Sequence, residues 1–363
     1  MDSQALEFIY NALPGRVVFG AGKLAVVAAE VEHLGVGKAL VLSTPEQRGL
    51  AETATTQLGL RGAGVFDQAR MHVPTEIVAA GVDAARSAGA GCTVAVGGGS
   101  TIGLAKAIAL ETGLPIIAIP TTYAGSEMTP IWGKTEAGVK RTGRDPRVLP
   151  RTVIYDPELL VTLPDFITGP SGMNAIAHCV EALYAEDQNP ITSLLAEEGI
   201  RAFARSLATA TREPGNLQAR ADTLYGAWLA GAALGQVGMA LHHKLCHTLG
   251  GSFDLPHAEV HSIVIPHATA YNANSAPTEI ARVAAALGAN GAQAAGPALF
   301  ELLNSVAKKT TLADLGMREA DLDRAAELAT QNPYYNPRPV TREGIRALLD
   351  DAYFGRQPAS HDG

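Results

Sequence analysis

The chain changes character at Asp156-Pro157, and this change limits the possible folds more than any other feature. Before it, short aliphatic and β-branched runs alternate with stretches carrying apolar residues at helical spacing. Ala39-Leu40-Val41-Leu42-Ser43, Thr93-Val94-Ala95-Val96 and Ile116-Ile117-Ala118-Ile119 read as buried strands. Residues 75–88 and 101–111 read as helices between them. Such alternation predicts an α/β domain, Rossmann-like, with a parallel sheet covered by helices on both faces. Its ligand crevice belongs at the carboxyl ends of the strands. After the boundary, β-branched runs nearly vanish. Residues 166–185, 191–211 and 217–249 read as helices, as do stretches beyond Thr278. The expected organisation is an α/β domain over residues 1–157 and an all-helical domain over 158–363.

A length of 363 residues fits two cores better than one, and 47% hydrophobic against 18% charged residues suits a folded chain. A net charge of −8 disfavours nucleic acid and anionic membranes as partners. It leaves room for a small anionic substrate, which a local cationic cluster can hold. Residues 1–8 carry two acidic residues and no basic segment leading into an apolar run, so no secretory leader is expected. No apolar run is long enough for a membrane span. Cys92, Cys179 and Cys246 cannot all pair and show no C-x-x-C spacing, which predicts free thiols in a reducing cytoplasm.

The strand at 93–96 runs into Gly97-Gly98-Gly99-Ser100-Thr101 and then into a helix carrying Lys106. A loop free of side chains at a helix N-terminus offers backbone N–H groups and a favourable dipole to a phosphate. The next strand ends in Pro120-Thr121-Thr122-Tyr123-Ala124-Gly125-Ser126, whose hydroxyls suit phosphate, ribose or nicotinamide amide. Each hydroxyl alone is equally well explained as a cap or turn; two such segments at adjacent strand ends favour a nucleotide. Strand 39–43 ends in Ser43-Thr44-Pro45, without the acidic residue that repels a 2′-phosphate, so NADPH is expected to serve as well as NADH. The candidate cofactor-binding residues are Gly97, Gly98, Gly99, Ser100, Thr121, Thr122, Ser126, Ser43, Thr44 and Lys140.

In the helical half, Asn174 and His178 share a helix face by i, i+4 spacing, as do His243 and His247, and His257 follows on the next turn. Imidazoles converging from two helices and a loop make a ligand set for a transition metal. His242 reads as a core residue, and His33, His72 and His261 as structural residues without a partner at useful spacing. His267, after Pro266, fits either description.

These segments resemble the iron-containing alcohol dehydrogenase superfamily over nearly the whole chain. There a Gly-Gly-Gly-Ser turn binds pyrophosphate in an N-terminal dinucleotide-binding domain, and a helical domain holds a metal through G-x-D-A-x-x-H and two later histidines. The resemblance places Asn174 at the Asp ligand, His178, His243 and His257 at the His ligands, and His247 near the nicotinamide. Two residues depart from the pattern: Asn174 replaces the ligand Asp, and Gly103 replaces the Asp that follows the glycine turn. Without its anionic ligand the site leaves a divalent ion its full charge, so no metal is expected, with weak binding at Asn174, His178, His243 and His257 left open.

Both departures, with Tyr123 to Gly133, Val153-Ile154-Tyr155-Asp156-Pro157 and Asn332-Pro333-Tyr334-Tyr335-Asn336-Pro337-Arg338-Pro339, are similar to the maleylacetate reductase branch. That resemblance implies NADH- or NADPH-dependent reduction of the maleylacetate C=C bond to 3-oxoadipate, in bacterial degradation of aromatic compounds, by a homodimer. Stabilising the developing enolate would fall to His243, His247 and His178 as catalytic residues, with His243 polarising the ketone or donating the proton. Asn174, His178, His243, His257 and Tyr123 would contact the dicarboxylate, whose charge would raise the imidazole pKa values. The alternatives are an Fe- or Zn-dependent alcohol dehydrogenase and a non-catalytic nucleotide-binding protein.

Overall fold

The computed structural model describes residues 8–13, 15–136 and 139–359, with the side chains of 139 and 140 left undescribed. Most of the segment read for a leader, residues 1–7, lies outside that range. Two compact units form: Leu13–Leu163, and Pro164–Gly363 together with the N-terminal residues up to Ala12.

The first unit runs β1 (Arg16–Phe19), α1 (Val27–His33), β2 (Ala39–Leu42), α2 (Arg48–Leu58), β3 (Gly62–Phe66), α3 (Thr75–Ser87), β4 (Cys92–Gly97), α4 (Gly99–Thr112), β5 (Ile116–Pro120), β6 (Ile131–Glu136), β7 (Val139–Arg144) and β8 (Thr152–Tyr155). Six strands pair in the order β1-β8-β5-β4-β2-β3, all parallel. β2, β4 and β5 are buried on both faces, which is why they read as continuous apolar runs. Successive residues point to opposite faces. Leu40, Leu42 and Ala95 pack with Ile77, Val82, Ile102 and Ile108 of α3 and α4. Ala39, Val41, Val94 and Ile117 pack with Val27, Val31, Ala54 and Leu58 of α1 and α2. The winding reverses between β2 and β4, which sets the crevice at their carboxyl ends. The antiparallel hairpin β6–β7 was not anticipated.

The second unit is helical: α5 (Asp165–Leu183), α6 (Pro190–Arg212), α7 (Leu217–Gln236), α8 (Leu241–Phe253), α9 (His257–Asn272), α10 (Pro277–Ala286), α11 (Ala295–Val306), α12 (Leu322–Thr330) and α13 (Arg342–Phe354). Asn189, Asn216 and Thr341 cap their helices by accepting the N–H of Thr192, Ala219 and Gly344. α5 is apolar nearly all round and almost wholly buried, as a central helix must be. The stretch 217–249, expected as one helix, is instead two helices bent by 96°. At the break Asp187 accepts the N–H of Gly238 at 2.9 Å, and Glu181 accepts those of Ala240 and His242 at 2.9 and 2.7 Å. These carboxylates satisfy the free N–H groups of a new helix start. Among the described residues no single helix is long and apolar enough to cross a membrane.

All three cysteines are buried and free. Burial raises each thiol pKa, that of Cys92 to about 12. Ellman's reagent is therefore expected to label no cysteine in the native protein and three per chain in denaturant. Prompt native labelling would contradict this packing.

Candidate functional site

Each unit assembles one set of functional groups. In the first, β4 ends at Gly97, where a Cβ would stand 2.3 Å from Thr101 Oγ1 and 2.8 Å from Gln47 Oε1. α4 starts at Gly99, so its first-turn N–H groups lie beside this turn. Thr121 donates its N–H to Gly97 O at 3.2 Å, and its Oγ1 accepts from Gln47 Nε2 at 2.7 Å. Thr122 lies so close that a Cβ on Gly98 would meet its methyl at 2.9 Å. Gly97, Gly98, Thr121 and Thr122 are thus brought together, and Gly99 and Ser100 continue the turn as the start of α4. Gln47, which the sequence reading missed, bridges them from the loop after β2.

Other candidates are placed differently. Ser43 is wholly buried and its hydroxyl lacks a partner among the described residues, while Thr44, the next residue, is half-buried. Ser126 is half-buried, with its carbonyl turned to Lys106. Tyr123 is completely buried. Lys140 pairs through β7 with Thr135, and its side chain lies outside the described residues. At Gly103 a Cβ would meet Val73 Cγ2 at 2.9 Å, and Val73 itself has a φ of 48°, rare for a β-branched residue. Val73 therefore crowds the place where the resemblance implies an Asp.

In the second unit α5 presents Asn174, His178 and Glu181 at i, i+4 and i+7, all buried. Asn174 Oδ1 has no hydrogen-bond partner among the described residues. His178 Nδ1 lies 3.0 Å from His243 Nε2, and His243 Nδ1 lies 2.5 Å from Glu181 Oε2. The His261 ring sits 4.3, 4.8 and 4.9 Å from those of His257, His242 and His243. His247 stacks on His257 at 6.4 Å, and its Nδ1 is 3.2 Å from the Tyr334 hydroxyl; both imidazoles are exposed. The four histidines singled out by spacing do come together, grading from buried to exposed. His261, read as partnerless, stands among them, because its i, i+4 relation to His257 puts both on one face of α9. His242 is buried as expected, but its Nε2 is bonded to His261 Nδ1 at 3.0 Å. His267 packs instead on Phe300.

Burial pulls His243 down to about 3 and holds His242 and His261 well below the usual imidazole range. Burial also pushes Glu181 up to about 7, opposed by the N–H groups of Ala240, His242 and His243 and by the charge of His247. The Glu181–His243 pair holds one proton. The donors around the carboxylate favour its ionised form, so that proton belongs on His243 Nδ1. His243 Nε2 is then the acceptor for His178 Nδ1–H, a tautomer assignment that follows from the hydrogen bonding.

Among the described residues, the His, Cys or carboxylate groups whose ligand atoms converge in a set of three are His242, Cys246 and His261. Cys246 Sγ lies 3.6 Å from His242 Nε2, which is already bonded to His261, so the set is a hydrogen-bonded core cluster. Glu181→Ala would strand two buried N–H groups at the start of α8. It is expected to lower the unfolding free energy by about 3 kcal/mol in urea titrations, with Glu181→Gln costing less. A loss below about 1 kcal/mol for the alanine variant would contradict the capping role.

Comparisons with known proteins cover both units. Residues 14–157 match the family model described as iron-containing alcohol dehydrogenase, and residues 168–353 match its Fe-containing alcohol dehydrogenase C-terminal counterpart. The chain is 57% identical over 359 residues to maleylacetate reductase 2 of Cupriavidus pinatubonensis, covering 99% of this chain and 100% of that one. It is 55% identical to the maleylacetate reductase of Burkholderia cepacia, covering 97% and 99%. The crystal structure of maleylacetate reductase from Agrobacterium tumefaciens superposes with a TM-score of 0.94 at 52% identity, covering 98% of this chain and 100% of that one.

Proposed function

This chain belongs to the iron-containing alcohol dehydrogenase family, and we propose that it is a maleylacetate reductase, using NADH or NADPH to convert maleylacetate to 3-oxoadipate in bacterial breakdown of aromatic compounds. Family membership makes it an oxidoreductase with a nicotinamide nucleotide. The glycine turn before α4, with Thr121 and Thr122, suits the pyrophosphate. A cytoplasmic homodimer is the corresponding setting, and three buried free thiols suit a reducing compartment.

What favours enone reduction over alcohol oxidation is the Glu181–His243–His178 chain beside the neutral Asn174. Hydride delivered to the carbon β to the ketone puts negative charge on the ketone oxygen, and the α carbon then takes a proton. One hydride and one proton balance the step. Conjugation spreads the developing charge, so N–H donors can stabilise it. The charges of Glu181 and of a bound dicarboxylate oppose the burial that keeps His243 neutral. Substrate binding thereby brings in the proton that the α carbon later accepts, with His243 passing it through His178. The exposed His247 and His257 take a carboxylate, with Lys244, whose ammonium stands 5.9 Å from the Tyr334 ring centroid, supplying positive charge.

The family description implies iron, and the residues here do not fit it. Asn174 offers a neutral amide oxygen where the resemblance implies a carboxylate. His178 and His243 turn ring nitrogens on each other at 3.0 Å, and the nearby Glu181 is committed to His243 and two backbone N–H groups.

The test is NADH absorbance with maleylacetate, set against aldehydes and polyols. Turnover is expected with maleylacetate; oxidation or reduction confined to alcohols and aldehydes would support the metal-dependent reading instead. His243→Ala is expected to lower kcat about 100-fold or more with the KM for NADH unchanged. Near-normal turnover in that variant would remove His243 from the mechanism. Lys244→Met is expected to raise the KM for maleylacetate about tenfold while leaving that for NADH alone.

A further inference from the structure

Lys106 is a fully buried cation with no role in the chemistry above. It lies on α4, about two turns beyond the glycine turn. Its Nζ donates to Ser126 O at 2.6 Å, Ile131 O at 2.7 Å, Thr129 O at 2.8 Å and Thr129 Oγ1 at 2.9 Å. Three N–H groups serve these four acceptors, one of them shared, an arrangement that suits an ammonium. The buried carboxylate of Glu127 lies in the same segment, and its Oε1 accepts from the Tyr155 hydroxyl at 2.8 Å. Burial pulls Lys106 down to about 7, and the charge of Glu127 works against that pull.

The segment from Thr121 to Ile131 is therefore fixed at both ends. Gly97 O and Gln47 hold Thr121 at its start, and Lys106 gathers three carbonyls at its end. One helix thus supplies the N-terminal turn and also ties down the adjacent wall of hydroxyls. We propose that Lys106 is a positioning residue for the nucleotide, holding Thr121, Thr122 and Ser126 against the glycine turn, with Glu127 balancing its charge. This rests on the nucleotide reading given above.

The test uses the full chain with Lys106→Met, which keeps length and removes both charge and donors. NADH affinity by fluorescence titration is expected to fall at least tenfold, with the KM for maleylacetate within twofold of the parent. The melting temperature falls as well, because Glu127 is left buried without its counter-charge. Adding Glu127→Gln is expected to recover melting temperature and not NADH affinity, a split that a purely structural role would not produce. If Lys106→Met does not fold, Thr129→Val removes the hydroxyl that Lys106 and the Ile131 N–H share, leaves Lys106 its three carbonyls, and is expected to weaken NADH severalfold. Wild-type NADH affinity in a folded Lys106→Met or Thr129→Val protein would overturn the proposal. So would equal losses for both substrates. Failure of the parent protein itself to bind NADH would instead overturn the nucleotide reading beneath it.

Discussion

A buried carboxylate is costly unless its oxygens are fully engaged, and Glu181 meets that condition by binding two backbone N–H groups and one imidazole. Those same bonds decide much of the helical unit. By taking the N–H groups of Ala240 and His242, Glu181 lets α8 start in a new direction after α7 ends. By accepting from His243 Nδ1, it sets which nitrogen of that ring faces His178. A fold-directing cap and a tautomer lock are thus one interaction. The histidine spacing has chemical meaning only because Glu181 orients α8 beneath it.

The first unit reaches a similar economy through α4. Its N-terminal turn follows β4 with no side chain in the way, and its second turn carries the cation that secures the neighbouring loop. Sheet order matters as much as motif: β4 lies between β2 and β5, so Gln47 after β2 and Thr121 after β5 meet across Gly97.

Residues whose environment is set locally were legible in the sequence. β2, β4 and β5 are sealed on both faces, so their apolar runs allow no other assignment. The pairs Asn174/His178 and His243/His247 share helix faces by spacing alone. The i+7 step to Glu181 on the same face was there to be read, as was the i+4 step from His257 to His261. The break before α8 was hidden because its caps come from Glu181 and Asp187, more than fifty residues away. Hairpin β6–β7 was hidden because its half-exposed residues, such as Trp132 and Lys134, mix polarity without alternation. Gln47 was hidden because only the strand order brings it to Thr121.

The proposed reductant of the enone is NADH or NADPH, with the hydrogen-bonded histidines ordered by Glu181 supplying the proton and no metal taking part. The most direct measurement is turnover with NADH and maleylacetate after exhaustive chelation, with metal content determined on the same sample. Undiminished turnover with metal far below one equivalent per chain is the predicted result. Activity that disappears on chelation and returns with Fe²⁺ or Zn²⁺ would contradict it and make Asn174 a tolerated metal ligand.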